Sequence, residues 1–397
     1  MMSFTDATRK EVVEFIQAHL ETDTATLMLS AGKFPDLPMK YISSQIASRQ
    51  KGKQKLPQWF SNSEIIFPPK ENLEQASSEI TAKFKSRFLE GKSFVDLTGG
   101  SGIDTFYLSK KFDSASYVEP DAYLCDISKY NFEKLGAQVE VISSTAEEFL
   151  SANKRKYDWA FIDPSRRDGA KKRFYALEDC VPNVIELSAE LLKAGHKVLL
   201  KASPMLDIKR TLRYLKECFK VQVLAVDNEV KELLFYLEES FDGETIIEAW
   251  NISDKKEDSF FSFNYSEEKV SYSELSEPLK YLYEPNSALM KAGPYQLIAL
   301  RNGLKKLHSS THLYTSDVVV ADFPGRIFNI EEVFKPSKKE IKKRFPAGKV
   351  NVVVRNYPEG ATDLKKRFKL KDGGETFLVF CTTKDGSLKA IKCSRAL

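Results

Sequence analysis

The sequence predicts an α/β fold: an open sheet, parallel except for an antiparallel last strand, with a helical region before it and α+β domains after it. Three observations lead there. Between residues 91 and 240 short apolar runs alternate with helical stretches, the pattern of a parallel sheet wrapped on both faces. The last two apolar runs, 221–226 and 233–238, are joined too briefly for a crossover helix, so they pair antiparallel. The first run empties into a glycine loop, residues 94–104, at the carboxyl end of a strand, where open α/β sheets take their ligands.

The elements follow in order. Residues 1–90 read as helical: Val12, Val13, Phe15, Ile16 and Leu20 have helical spacing over 10–20, and 72–88 is a second candidate. Pro35, Pro38, Pro57, Pro68 and Pro69 predict short helices there. Residues 91–240 give strands at 94–97, 115–118, 139–142, 159–162 and 198–200. Helices are expected near 104–111, 122–135, up to 150, 177–192 and 207–218, before the closing pair. Residues 241–321 hold strands at 245–250 and 260–263 and a helix near 296–307, and residues 322–397 hold strands at 350–354 and 377–380 and a basic helix over 335–345. The last two regions read as small α+β domains.

Composition narrows the function. With 397 residues, 42% hydrophobic and 29% charged, the chain can bury the cores of several domains. Five cysteines without a CxxC exclude a disulfide framework and a cysteine zinc site, and four histidines without HExxH argue against a histidine metal site. No metal is therefore expected. The apolar runs fall short of the roughly 18–20 residues a membrane helix needs. Residues 1–14 carry acids and no compact apolar signal segment. The expectation is a cytoplasmic protein with no membrane partner. From residue 331 to 397 there are 17 Lys+Arg against 8 Asp+Glu, while the whole chain is only +4. A basic tail on a near-neutral body suggests nucleic acid, and a solvated basic surface is the plain alternative.

The chemistry concentrates at strand ends. Phe94-Val95-Asp96-Leu97-Thr98-Gly99-Gly100-Ser101-Gly102-Ile103-Asp104 runs from a strand through glycines into a helix. Glycines allow close backbone approach, and a helix start offers N–H groups to an anion. The third glycine of a dinucleotide loop is replaced by Thr105. An acid followed by Gly-x-Gly suits S-adenosylmethionine instead, with Asp96 facing its cationic amino end, directly or through water. A tight turn holding no ligand is the alternative. Asp96, Thr98, Gly100, Gly102 and Asp104 are the candidates here. Glu119 ends the second strand, 17 residues after Gly102, near the offset of about 20 expected of a ribose acid. The fourth strand ends Asp163-Pro164-Ser165-Arg166-Arg167. The Asp163–Pro164 corner can accept N–H bonds from a flat amine and so align its lone pair with a methyl donor. Arg166 and Arg167 suit phosphate, or simply pair with nearby acids.

Asp96–Gly102, Glu119 and Asp163-Pro164 resemble the S-adenosylmethionine-dependent class I methyltransferases, whose sheet is Rossmann-like. The whole chain resembles a bacterial group in which that domain is followed by ferredoxin-like and THUMP-like domains. The closer likeness rests on Lys55-Leu56-Pro57-Gln58-Trp59, Leu73-Glu74-Gln75-Ala76-Ser77-Ser78, the glycine loop, Asp163–Arg167, Tyr283-Glu284-Pro285-Asn286 and Lys291-Ala292-Gly293. It divides the chain into a helical region (1–90), a methyltransferase domain (91–240), a ferredoxin-like domain (241–321) and a basic THUMP-like domain (322–397). It implies methyl transfer from S-adenosylmethionine, leaving S-adenosylhomocysteine, with RNA as partner, a tRNA or rRNA base nitrogen being the expected acceptor.

The departures matter. Many relatives place an acid on the adenine amine after the third strand; here Thr145 stands at about that place. Ser165 and Arg166 replace the usual aromatic, so Phe174, Tyr175 or Tyr107 would have to stack on a base. The fifth strand runs into Lys201-Ala202-Ser203 with no cysteine, which disfavours covalent carbon methylation. Lys201 and Ser203 are substrate-pocket candidates, or Lys201 merely snorkels. Basic residues from Lys40 to Lys55 beside Trp59, the Lys338–Arg344 cluster, and Lys365, Lys366, Arg367, Lys369 and Lys371 could each meet RNA phosphates or be solvated faces. Two alternatives stay open: an RNA-binding protein that has lost catalysis, and a methyltransferase acting on a protein or small molecule.

Overall fold

The computed structural model describes residues 8–166 and 177–396. The chain divides into two compact units, residues 1–219 with 233–243, and residues 220–232 with 244–397.

The first unit opens with helices Lys10–Ala18, Thr24–Leu29, Met39–Lys55, Pro57–Ser61, Lys70–Gln75 and Glu79–Ser86. Met39–Lys55 has 17 residues, against the expectation of short helices. Its buried face mixes Ile42 and Ile46 with Gln45, Ser48, Arg49 and Gly52, so no apolar stripe announces it. Gln45 pairs both the N–H (3.0 Å) and the C=O (2.8 Å) of Phe67, and the Arg49 guanidinium donates to the carbonyls of Asn62, Ser63 and Ile65. These polar groups satisfy an irregular segment that would otherwise be buried with unpaired backbone. The stretch expected as one helix over 72–88 breaks at residues 76–78, where Ser78 accepts from the Thr81 N–H as a new N-cap.

The sheet of this unit has strands β1 (Gly91–Asp96), β2 (Phe112–Glu119), β3 (Glu140–Ser143), β4 (Tyr157–Ile162) and then, beyond the two-residue pair β5 (Ser165–Arg166) and β6 (Cys180–Val181), β7 (Gly195–Ala202). β8 (Cys218–Val226) and β9 (Glu229–Glu238) follow, joined by Asp227 and Asn228, both at positive φ. Within the unit the order is β9-β7-β4-β1-β2-β3. β1 pairs parallel with β2 and β4, β2 with β3 and β4 with β7, while Leu233–Glu238 of β9 runs antiparallel to β7. The expected sheet is therefore present. Helices Ile103–Ser109, Ala122–Lys134 and Ala146–Ala152 connect its first strands. Two expected helices are much shorter: 177–192 is a 3₁₀ turn, β6 and then helix Ser188–Ala194, and 207–218 is helical only over Ile208–Thr211. Pro182, with no N–H to give, interrupts the first. Trp59, Phe67, Phe106, Tyr117 and Phe132 fill one core between the amino-terminal helices and the sheet.

In the second unit β10 (Ile246–Ile252) pairs parallel with residues 220–226 of β8 and antiparallel with β11 (Ser259–Asn264). A second sheet follows, formed by β12 (Tyr281–Pro285), β13 (Lys305–His308), β14 (Thr311–Ser316), β15 (Gly325–Phe334), β16 (Asn351–Arg355), β17 (Thr376–Thr382) and β18 (Leu388–Arg395). Its order is β13-β14-β12-β15-β18-β17-β16. The helix expected over 296–307 stops at Arg301, and β13 takes the remainder. Helices Lys338–Arg344 and Ala361–Phe368 share one core with the sheet through Ile341, Leu364 and Phe368.

Candidate active site at the carboxyl ends of the strands

β1 delivers Asp96 fully buried. Its carboxylate accepts from the Thr98 N–H (3.0 Å) and the Thr105 hydroxyl (2.6 Å). Burial nevertheless dominates those two bonds, and with Asp104 and Asp163 nearby pushes the acid up to about 7.

The loop after it is built for glycine. A Cβ on Gly99 would lie 2.1 Å from the Tyr117 ring. Gly100 has φ +52°, and a Cβ there would meet only Thr98 O, 3.8 Å away, so the protein leaves room beside that backbone. Gly102, at φ +73°, caps helix Ile103–Ser109 against Ser128 and Phe132. The Tyr117 hydroxyl holds the loop from behind, donating to Gly100 O at 2.6 Å. One expectation changes. The Gly100 N–H donates to Glu119 (2.9 Å) and the Gly102 N–H to Gly99 O (2.9 Å), so neither is left for an anion. The turn is tight enough to consume its own donors.

Glu119 accepts from Gly100 on one oxygen and from the Asp121 N–H (3.0 Å) on the other. That uses two of roughly four lone-pair positions of a carboxylate. Thr98 links two strand ends: its hydroxyl accepts from the Asp163 N–H at 2.6 Å. Thr145 caps helix Ala146–Ala152 in a capping box with Glu148, so its hydroxyl already carries a structural bond.

A cavity of about 350 Å³ opens over these ends. Of the residues predicted from sequence, Asp96, Thr98, Gly100, Asp104, Glu119, Thr145, Asp163 and Lys201 line it together. Gly102, Pro164 and Ser203 are not in its wall; the Ser203 hydroxyl instead accepts from the Met205 N–H at 3.2 Å. Arg167, Phe174, Tyr175 and the side chain of Arg166 lie outside the described residues. Tyr107, the remaining stacking candidate, is buried with its hydroxyl on Gln58 (3.1 Å) and cannot reach a ligand.

The wall also holds residues the sequence did not single out for chemistry. Asn72, Gln75 and Ser77 reach it from the helical region. Ser77 meets Asp104, Lys85 and Lys201 in one buried cluster. Lys201 Nζ lies 2.6 Å from Asp163 and 3.2 Å from Asp104, and Lys85 Nζ lies 3.1 Å from Asp104. Burial pushes Asp104 upward, but the charges of Lys201 and Lys85 outweigh it and hold the acid well below its ordinary value. Asp104 is thus occupied by two ammonium groups. Only the likeness of residues 73–78 to a known group drew attention to this wall; no local pattern marks Lys85.

The basic stretches separate. From the first, Lys51 pairs with Glu74, Lys53 with Glu21, and Lys55 with the Leu73 and Glu74 carbonyls. Trp59 is fully buried against Phe106. In the carboxyl-terminal clusters Arg344, Lys365 and Arg367 pair with Glu332 and Glu340, with Asp372 and with Glu359. Lys338, Lys339, Lys342 and Lys343 are exposed, with no ion pair among the described residues. No described helix is long and apolar enough to cross a membrane, and no described group of three or more His, Cys, Asp or Glu could hold a metal ion.

A family model described as a ferredoxin-like domain matches residues 281–324, and one described as THUMP domain-like matches 325–395. The crystal structure of a protein from Porphyromonas gingivalis W83, provisionally described as a methyltransferase, superposes over 100% of both chains with a TM-score of 0.90 and 32% identity. TrmK from M. capricolum, solved with S-adenosyl-homocysteine, matches 45% of this chain and 71% of its own at 13% identity and a TM-score of 0.32. An rRNA methylase from Streptococcus thermophilus matches 40% of this chain and 93% of its own at 16% and 0.30. No curated protein matches the chain.

Proposed function

This chain belongs to the family of the Porphyromonas gingivalis methyltransferase-like protein, with ferredoxin-like and THUMP-like domains at its carboxyl end, and from that premise we propose that it transfers a methyl group from S-adenosylmethionine to RNA, at a base nitrogen of tRNA or rRNA. One observation carries the reading: the acids at the ends of β1, β2 and β4 face a single cavity that the glycine loop leaves open.

The residues fit the donor by charge. Asp96, Asp104 and Asp163 stand against Lys85 and Lys201. With Asp96 ionised the cluster carries one negative charge in excess, before Glu119 is counted. S-adenosylmethionine, with its sulfonium, ammonium and carboxylate, carries one net positive charge. Burying a carboxylate as deeply as Asp96 is costly unless a cation meets it, and an ammonium there removes the penalty.

S-adenosylmethionine supplies a methyl group activated on a sulfonium. Asp96 holds the amino end, directly or through water. The two lone-pair positions left on Glu119 take the ribose hydroxyls. Thr145 lies in the wall for the adenine, with the second lone pair of its hydroxyl as acceptor. Asp163, at the corner before Pro164, accepts N–H bonds from the acceptor amine and aims its lone pair in line with the methyl. The exposed lysines of Lys338–Arg344 give the THUMP-like domain a face suited to phosphates.

Titration calorimetry of S-adenosylmethionine into the full chain tests the first part; absence of binding would end the proposal. Tritium transfer into RNA from cells lacking the gene, lost in Asp163→Ala, tests the second. RNase-resistant label would point to a protein or small-molecule acceptor. Nucleoside mass spectrometry of the same RNA identifies the modified base.

A further inference from the structure

The buried cluster behind Asp163 has no task yet in methyl transfer. Four elements of the first unit contribute to it: Ser77 ahead of helix Glu79–Ser86, Lys85 within that helix, Asp104 in the first turn of helix Ile103–Ser109, and Lys201 near the end of β7. A lysine at a sheet end ordinarily snorkels to water. Here the side chains of Lys201 and Lys85 are 8% and 0% exposed.

The bonding is dense. The Ser77 hydroxyl donates to Asp104 (2.7 Å) and accepts from Lys85 (3.0 Å) and Lys201 (3.0 Å). That is the one donor and two acceptor positions a serine has. Lys201 reaches Asp163, Ser77 and Asp104, three contacts for three N–H groups. An ammonium so engaged cannot turn toward a substrate without abandoning a buried partner, which is expensive. It can, however, fix the group it holds.

We infer that Lys201 is a positioning residue for Asp163, and that Ser77, Lys85 and Asp104 form the buried clamp that fixes Lys201. The clamp rests on the proposed role of Asp163 at the acceptor amine. Two lysines and two aspartates balance only while Asp163 is ionised, so the clamp keeps it a carboxylate, able to accept N–H bonds and to face the positive charge that develops on a methylated nitrogen. The helical region thereby contributes to the chemistry through Ser77 and Lys85 as well as through the cavity wall. Asp96 and Cys180 also lie within electrostatic reach of Asp163, and neither is cationic.

The test uses the full chain and two readouts. The first is single-turnover methyl transfer to RNA from cells lacking the gene, with cofactor affinity measured separately. Lys201→Met should slow transfer about 100-fold, the scale of a misplaced reacting group, while the cofactor Kd and the RNA KM stay within threefold. Lys85→Met, three contacts from Asp163, should slow it about tenfold. The second readout needs no activity: ¹³C-carboxyl NMR of labelled aspartate, with Asp163→Asn assigning the signal. The Asp163 midpoint should rise by at least one pH unit in Lys201→Met. If that variant folds too weakly to assay, Lys201→Met/Asp104→Asn removes one charge of each sign and carries the same two readouts. An unchanged midpoint, an unchanged rate, or a loss confined to the RNA KM would overturn the clamp. If the wild type transfers no methyl yet the midpoint moves, the clamp stands and the functional proposal fails.

Discussion

Asp96→Asn should make the protein more stable at neutral pH and worse at its task. Asp96 ionises near 3.8 when unconstrained and at about 7 in the folded chain. At about 1.36 kcal/mol per pH unit, holding it as a carboxylate in the empty site costs about 4 kcal/mol. The sign follows from proton counting. Between about pH 4 and pH 7 the folded state keeps a proton that the unfolded state has released, so this group's contribution to stability falls as pH rises through that window. Asparagine removes the dependence without removing the bonds. Its oxygen accepts from the Thr98 N–H, and the Thr105 hydroxyl turns to accept from its amide. Urea unfolding of the cofactor-free chain should show Asp96→Asn more stable than wild type by up to about 4 kcal/mol at pH 8, with the gap closing toward pH 4. A variant less stable at pH 8, or a gap independent of pH, would refute the argument.

Four further outcomes are expected. Titration calorimetry should show the affinity for S-adenosylmethionine falling as pH drops through about 7, with proton release on binding at lower pH, because a protonated Asp96 offers no charge to an ammonium. Gly99→Ala should lower the melting temperature markedly, since its Cβ would sit 2.1 Å from the Tyr117 ring and overpacking costs about 1–3 kcal/mol. Gly136→Ala, with nothing within 4 Å of its Cβ but φ +70°, should cost only about 1 kcal/mol. Replacing Lys338, Lys339, Lys342 and Lys343 by Gln should weaken RNA binding and flatten its salt dependence by up to about 3–4 in log–log slope, read by fluorescence anisotropy at several salt concentrations.

Where a residue's role is written in its neighbours, the sequence was legible. Asp96, the glycines and Glu119 follow from a strand, a tight turn and a fixed offset, because alternation and glycine placement are local properties of the chain. The antiparallel closing strand follows from a connection too short to cross over. Helix Met39–Lys55 was missed because its buried face is partly polar: Gln45 and Arg49 bind backbone groups of residues 62–67, and periodicity detects apolar stripes. In the last domain, β15 carries Glu331 and Glu332 amid its apolar residues, which blurs the alternation that marks a strand.

The amino-acid order alone therefore determined which loop lines the candidate site and which strands carry acids to its cavity. Tertiary structure decided how those acids are used. Ser77, Lys85, Asp104 and Lys201 are separated by up to 124 residues in sequence, and nothing local to any of them signals the others. They meet because four elements pack together at the sheet's carboxyl edge. Once water is excluded there, each buried charge has to find its counter-charge.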